Sequence, residues 1–196
     1  MSQDYQKAIL DHFYDLSSDA PAHQILADVI ADQSQHRLAG IRKALGIELS
    51  DNAMDQMIHK LTDPLFLEEL LQFLPEDSMQ ALDRLRRRNL AYKDILSLPG
   101  IHELIVFGLV YIYRPVLTFI MPDEIRNALP QQVNTDRRYQ WQQVIQVIRG
   151  AINLYGAIEE DELMQQVRRL PAIDQVPLQK VLSQLLRSTR IIWQYG

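Results

Sequence analysis

The side chains best suited to bind an anionic partner are arginines and a lysine in two helical segments and one turn. Guanidinium and ammonium groups donate charge-assisted hydrogen bonds to phosphate and carboxylate oxygens, so their clustering predicts a nucleic-acid or acidic-partner contact. Cations in the last turn of a helix also compensate the helix dipole, and this structural role stays open for the helical ones. The candidate nucleic-acid-binding residues are Arg84, Arg87, Arg88, Arg114, Lys180, Arg187 and Arg190.

The sequence contains little that would support a metal site or covalent catalysis. Cysteine is absent, which excludes disulfides and thiolate zinc ligands and favours a reducing compartment. His102 and Glu103 begin like a zinc-protease signature, but Val106 occupies the position of its second histidine. The other histidines are scattered, and no glycine-rich phosphate loop or nucleophile elbow occurs. We therefore predict a protein that is not an enzyme, with no catalytic residue, no metal and no cofactor.

The balance of charge argues against strong attraction of the whole molecule to a phosphate backbone. The formal net charge is −5. Only the last third of the chain is positive, because residues 131–196 hold 8 basic and 6 acidic groups. Any phosphate contact is therefore expected from local patches, and the C-terminal part is the first candidate for one.

Apolar residues recur at three- and four-residue spacing through most of the chain, which predicts a mainly α protein. The first two helices are predicted at 5–16 and 22–32. A further helix ends at Gly46, and Ser50 or Asp51 is expected to cap the next one. Pro75 separates another pair of helices, with Pro64 near the start of the first. The last third is expected to contain helices within 139–156, 159–170 and 176–190.

The segment GLVYIYRPVLTFIMPDEIRNAL interrupts the helical pattern. From Leu109 onward its residues are β-branched and aromatic, and Arg114-Pro115 stands in the middle of the run. Proline disfavours helix in the residue before it, so we predict a β-hairpin that pairs 109–113 with 116–121. A short helix with Asp123 as its cap is expected next.

Aromatic residues alternate along the predicted strands. Tyr111 and Tyr113 are two apart, as are Trp193 and Tyr195 near the C-terminus, so each pair is expected on one side of its strand. Packing in a core is the favoured role for both pairs. Exposed rings would instead form a stacking or partner surface together with Arg114 at the hairpin tip.

No membrane segment is expected. The longest apolar run, residues 104–113, is half of the roughly 20 residues that a membrane helix needs. The N-terminal sequence lacks the basic-then-apolar order of a signal peptide, which favours a cytoplasmic protein.

The predicted order of elements in residues 76–129, short helices followed by a β-hairpin, resembles that of winged-helix modules. Residues 139–196 show a similar order of three helices that ends in the strand-like IIWQYG. Both resemblances rest on element order. For the C-terminal unit the resemblance implies a third helix that reads the major groove of DNA. Lys180, Arg187 and Arg190 stand on that helix.

A second resemblance concerns Gln35 to Leu61, QHRLAGIRKALGIELSDNAMDQMIHKL. This stretch resembles the helix, extended loop and helix of the SAP and Rho N-terminal nucleic-acid-binding motifs. The pattern is carried by Leu38, Ile41, Leu45, Gly46 and Ile47. Those families carry lysines at the start of the second helix, whereas this chain has Asp51, Asp55 and Gln56 there. The resemblance therefore implies the fold and leaves its binding function in doubt.

These patterns together predict a mainly α protein with one or two winged-helix-like units carrying short β-hairpins. The expected divisions are a helical hairpin at 1–34, a SAP/Rho-N-like segment at 35–75, and winged-helix-like units at 76–130 and 131–196. The favoured function is a non-enzymatic binding protein for DNA or RNA, acting in bacterial transcription regulation or nucleic-acid handling. The alternative is a protein-interaction adaptor that uses the same folds without contacting nucleic acid.

Overall fold

The computed structural model describes residues 3–95, 98, 100–155, 159–170 and 176–188. Twelve helices and three short strands are present in this part of the chain. The helices are α1 (Gln3–Asp15), α2 (Leu26–Ala31), α3 (Gln35–Ala44), α4 (Ala53–Thr62), α5 (Pro64–Phe73), α6 (Glu76–Arg87), α7 (Tyr92–Ile95), α8 (Ile101–Val106), α9 (Asp123–Ala128), α10 (Thr135–Tyr155), α11 (Glu160–Val167) and α12 (Leu178–Ser188). The strands are β1 (Leu90–Ala91), β2 (Tyr111–Tyr113) and β3 (Thr118–Ile120).

The prediction of a mainly α protein is confirmed. Proline opens α5 at Pro64, where the missing N–H costs nothing, and α3 ends just before Gly46, which has a positive φ of 65°. Two predicted caps are wrong. Asn52 precedes α4 in place of Ser50 or Asp51, and Asp123 is the first residue of α9 and not its cap.

The predicted β-hairpin is confirmed, with shorter strands than expected. β2 and β3 pair antiparallel, with Tyr111 opposite Ile120 and Tyr113 opposite Thr118. The Arg114-Pro115 peptide bond lies in the turn between them and is cis. Proline cannot donate to the ladder and its φ is fixed, so it fits a turn better than the interior of a strand.

A third strand completes the sheet, in the order β1-β3-β2. β1 pairs antiparallel with β3 through Leu90 opposite Phe119 and Ala91 opposite Thr118. The other edge of β2 is covered in part, because Ser18 donates its N–H to the Ile112 carbonyl at 2.9 Å and accepts from the Arg114 N–H at 2.9 Å. Both sides of the hairpin therefore have partners, which protects its edges from pairing with another chain.

Both faces of β2 are covered. Tyr111, Ile112 and Tyr113 are each 1% exposed, so the expected core packing of the two tyrosines is confirmed. The Tyr113 hydroxyl donates to Asp32 Oδ2 at 3.2 Å, which gives this buried polar end a partner. Trp193 and Tyr195 lie outside the described residues.

The chain divides into two compact units. The first comprises Met1–Pro64 and Pro75–Leu129, and the second comprises Leu65–Leu74 and Pro130–Gly196. The first unit thus holds the sheet and all helices except α5, α10, α11 and α12. The second unit is discontinuous in sequence, since residues 65–74 are separated from the rest of it by 75–129.

None of the helices in the described part of the chain is long and apolar enough to cross a membrane. The longest of them, α10, exposes the polar residues Gln146 and Asn153 in addition to having a buried face.

Candidate nucleic-acid and partner surfaces

Helix α8, which lies just before the hairpin, is covered by other parts of the first unit. Ile101, Leu104 and Ile105 are buried, and the remaining residues of α8 are half-buried, so the helix has no exposed side chain. Arg37 of α3 donates from its guanidinium to the Ile105 carbonyl, and Arg37 is itself 8% exposed. The contact joins α3 to the last turn of α8, where backbone carbonyls lack helical partners. A ligand would therefore meet only half-buried side chains on α8.

The turn after α8 allows α3 to pack closely against the end of α8. Gly108 has a positive φ of 71°, a conformation that ends helices and favours glycine. A Cβ at this position would lie 2.7 Å from Ile41 Cγ2 and 3.2 Å from the Tyr111 hydroxyl. The absence of a side chain at Gly108 therefore lets α3 and β2 pack against the end of α8.

Beside α8, four polar side chains form a cluster that the sequence did not predict: His12, Arg37, His102 and Tyr111. The His12 and His102 ring centroids are 5.3 Å apart, which brings α1 against α8. Burial, followed by the nearby His12 and Arg37 charges, lowers the pKa of the His102 imidazole to about 4. Burial also lowers the pKa of Arg37 to about 10 and raises that of Tyr111. At neutral pH the cluster therefore holds an uncharged imidazole and an uncharged phenol beside one buried cation.

The cluster suits packing better than acid–base catalysis. The Tyr111 hydroxyl is buried without a hydrogen-bond partner among the described residues. A general base needs a pKa near the working pH and access to its substrate, whereas His102 is shifted well below neutrality and stands on the covered helix α8. In the described part of the chain, no group of three or more metal-ligating side chains comes together.

The hairpin tip does not present a free cation. Arg114 Nε lies 3.0 Å from Asp19 Oδ1, and the guanidinium carbon is 6.0 Å from the centre of the Tyr14 ring. The tip itself exposes Val116, which is 70% accessible. Because Arg114 already has an acidic and an aromatic partner, a phosphate would have to compete for it.

The basic end of α6 is the candidate surface that best matches the sequence prediction. Arg84, Arg87 and Arg88 are all exposed. Arg88 forms an ion pair with Asp94 at 3.3 Å, while the Ala91 N–H donates to the same carboxylate at 3.0 Å. That backbone bond and the Arg88 guanidinium lower the pKa of Asp94. In the described part of the chain, the side chains of Arg84 and Arg87 have no ion pair, so two of the three predicted cations here are available.

The predicted basic face of α12 is only partly present. Lys180 and Arg187 are exposed, as expected, but the Lys180 ammonium group forms an ion pair with the Glu69 carboxylate of α5. Arg190 lies outside the described residues. Of the three cations predicted on α12, only Arg187 is therefore both described and without an ion pair to another described residue.

The positive charge assigned to the C-terminal third is cancelled within its compact unit. Residues 65–74 belong to the same unit and add Glu68 and Glu69 to residues 131–196. The second unit then holds 8 basic and 8 acidic side chains, and the first unit carries the whole net charge of −5. The sequence-based count failed because it followed chain order, whereas charge acts through space.

Exposed apolar side chains mark a different surface at the loop between α3 and α4. Leu49 is 83% exposed and Met54 is 43% exposed, and the acidic side chains of Glu48, Asp51 and Asp55 are exposed with them. Apolar side chains grouped on a surface are typical of sites for protein partners. This loop lies in the segment for which the sequence predicts a SAP/Rho-N-like fold, and its exposed acidic residues are opposite in charge to a phosphate-binding surface.

Within the second unit, side chains of α10 cap the C-terminal end of α5, a contact that the sequence did not predict. The Gln142 amide of α10 donates to the carbonyls of Gln72, Phe73 and Leu74, at 2.9, 3.1 and 3.1 Å. Arg138 donates to the Leu74 carbonyl at 3.0 Å. The last carbonyls of a helix have no partner inside it, so these two side chains satisfy the C-terminal end of α5.

Replacing Gln142 with leucine is expected to lower the free energy of unfolding of the second unit by about 1–2 kcal/mol. Leucine keeps the volume and helix propensity but leaves carbonyls of α5 without this donor. Urea denaturation followed by circular dichroism measures the change. Gln165→Leu, at an exposed position of α11, is the matched control and should stay within about 0.5 kcal/mol of the parent. Equal effects of the two substitutions would show that the cap does not stabilise α5.

Comparison with known proteins returns no match: no protein-family model, no curated protein and no solved structure resembles this chain at a significant level.

Proposed function

We propose that the protein is a non-enzymatic protein-interaction adaptor built on a winged-helix-like unit. Residues 76–120 contain, in chain order, α6, β1, α7, α8, β2 and β3, and the three strands form a sheet ordered β1-β3-β2. This order of elements supports the resemblance to a winged helix. β1 strengthens the resemblance, because it adds to the hairpin the strand that follows the first helix of a winged helix.

The covered helix α8 is the observation that carries the proposal. In modules of the helix-turn-helix type, the recognition helix enters the major groove and its side chains contact base edges. The equivalent helix here is α8, which has no exposed side chain and is packed against α3 through Arg37. A winged-helix-like unit with a covered recognition helix is better suited to hold partners through its outer surfaces.

The distribution of charge between the two units also supports the adaptor function. The first unit carries the net charge of −5, and non-specific attraction to nucleic acid needs a surplus of lysine and arginine. Leu49 and Met54 are exposed and close in sequence to the exposed Glu48, Asp51 and Asp55, which favours a protein partner with apolar and basic side chains.

Nucleic-acid binding is the second candidate, favoured by Arg84 and Arg87 of α6, which are exposed and form no ion pair with another described residue. A salt titration of fluorescence anisotropy with duplex and single-stranded DNA separates the two functions, since phosphate-led binding weakens as salt rises. For an adaptor we expect no binding tighter than about 10⁻⁴ M at physiological salt, the weak end of non-specific affinity. Tight binding that Arg84→Ala/Arg87→Ala or Lys180→Ala/Arg187→Ala weakens and makes less salt-dependent would replace the adaptor proposal by nucleic-acid binding.

The positive test uses a photo-crosslinking amino acid at position 49 in cells that express the full chain. We expect covalent adducts with a discrete protein that depend on light. The matched control places the same amino acid at Gln80, an exposed position of α6, where no such adduct is expected. Absence of any adduct at position 49, or equal adducts at both positions, would argue against this surface.

A further inference from the structure

Arg37 is a buried cation without a counter-charge among the described residues. It is 8% exposed, and the acceptor described for its guanidinium is the uncharged carbonyl of Ile105. Burial lowers the pKa of Arg37 to about 10, so the side chain is still charged at neutral pH, and no carboxylate of a described residue counteracts this shift. Buried charges in proteins are normally paired, because removing a charge from water is costly. The structure therefore leaves a requirement for negative charge at this position.

A second donor without a partner reaches the same turn. The Tyr111 hydroxyl is buried and has no hydrogen-bond partner in the described part of the chain. It lies 3.2 Å from the place that a Cβ of Gly108 would take. The Gly108 N–H donates at 3.0 Å to the same Ile105 carbonyl that Arg37 binds. The guanidinium of Arg37 and the hydroxyl of Tyr111 therefore converge on the turn between Ile105 and Gly108.

We propose that this turn binds one small inorganic anion, chloride, between the Arg37 guanidinium and the Tyr111 hydroxyl. The anion accepts hydrogen bonds from both donors and compensates the buried positive charge. A water molecule would accept the same hydrogen bonds but would leave the charge uncompensated. His12 and His102 of the cluster cannot supply the counter-charge, because an imidazole is either neutral or positive.

The surroundings of the turn favour an ion the size of a single atom. Ile41 and Gly108 are both buried, and a Cβ at position 108 would lie only 2.7 Å from Ile41 Cγ2. A phosphate ester or a carboxylate of a partner protein needs more space than this packing gives. The first unit also carries a net charge of −5, which opposes the approach of polyanions more than that of a monovalent ion. The site is independent of the adaptor function, since it does not use Leu49 or Met54.

Thermal unfolding of the full chain at pH 7, followed by circular dichroism, tests the proposal when chloride replaces gluconate at a constant ionic strength of about 0.2 M. A ligand that binds only the folded state raises its stability. For a Kd of about 10 mM, chloride at about 150 mM should raise the melting temperature of the first unit by about 3–6 °C. Equal melting temperatures in the two salts would overturn the proposal.

Three variants assign the chloride response to the site. Arg37→Met should abolish the rise, and Tyr111→Phe should weaken chloride binding about tenfold by removing one donor. Lys43→Met removes an exposed cation from the same helix and should respond to chloride like the parent. The measured quantity is the difference between the two salts, so a change in basal stability does not affect it. A rise that Arg37→Met keeps would overturn the proposal; if that variant does not fold, an unchanged response of Tyr111→Phe would do so.

A crystal grown in bromide locates the ion directly, because bromide substitutes for chloride and scatters X-rays anomalously. We expect an anomalous peak in contact with both the Arg37 guanidinium and the Tyr111 hydroxyl. The same peak should be absent from crystals of Tyr111→Phe or strongly reduced in them. An ordered water molecule at this position, with bromide bound elsewhere only, would contradict the proposal.

Discussion

Gly100→Ala is expected to lower the free energy of unfolding by about 3 kcal/mol or more. Gly100 precedes α8, and a Cβ there would be closer than 3.0 Å to Ser78 N and to the carbonyl carbon and oxygen of Asp77. These are backbone atoms in the first turn of α6, so no side-chain rotation can relieve the overlap. Either α6 or the start of α8 must move, and both belong to the core of the first unit.

Gly40→Ala is the matched control for this substitution. Gly40 lies in α3, is exposed, and has nothing within 4 Å of the position of a Cβ. Alanine there should raise the free energy of unfolding by about 0.5–1 kcal/mol through its better helix propensity. Urea denaturation followed by circular dichroism, with peptide-resolved hydrogen exchange, measures both variants. Equal behaviour of the two alanines would contradict the close approach of α6 and α8.

Acidification is expected to destabilise the first unit through His102. The imidazole pKa is about 4 in the folded protein and close to its ordinary 6.5 in the unfolded chain. Between these values the unfolded chain binds more protons, so the free energy of unfolding falls as pH decreases from 6.5 towards 4. A shift of this size corresponds to at most about 3 kcal/mol, and proton uptake would place positive charge beside His12 and Arg37.

The free energy of unfolding of the parent and of His102→Phe, measured at pH 7 and pH 4.5, tests this prediction. Phenylalanine keeps an aromatic ring against His12 but does not titrate, so the acid-induced loss should be smaller in the variant. Ile105→Val removes buried volume from the same helix without removing a titratable group, and it should keep the parent's pH dependence. Identical losses in the parent and His102→Phe would show that His102 is not the sensitive group.

The hairpin and most helices could be predicted because their determinants are local. Arg114-Pro115 between two β-branched runs is sufficient for a turn, and apolar spacing is sufficient for helices. β1 could not be predicted, since Leu90 and Ala91 are too few to show a period of two and pair with β3 about 28 residues later. A strand of two residues forms only because a neighbouring strand supplies its hydrogen-bond partners.

The surfaces were harder to predict than the elements. Nothing near Lys180 in sequence indicates that Glu69 neutralises it, and nothing near Ile105 indicates that Arg37 covers α8. Each of these contacts joins residues that are far apart in the chain. Basic residues could therefore be found from composition, whereas their availability depended on tertiary contacts.

The discontinuous second unit has a consequence for the order of events on the ribosome. Residues 65–74 leave the ribosome before residues 75–129 do. The α10 side chains that cap α5 are synthesised after both of these segments. From Leu74 to the end of α10 the ribosome must add about 80 residues, which takes roughly 4–16 s at 5–20 residues per second. During this time the apolar α5 has no cap from α10. Chains that stop near residue 130 would keep it in that state, so such fragments should aggregate where the full chain does not.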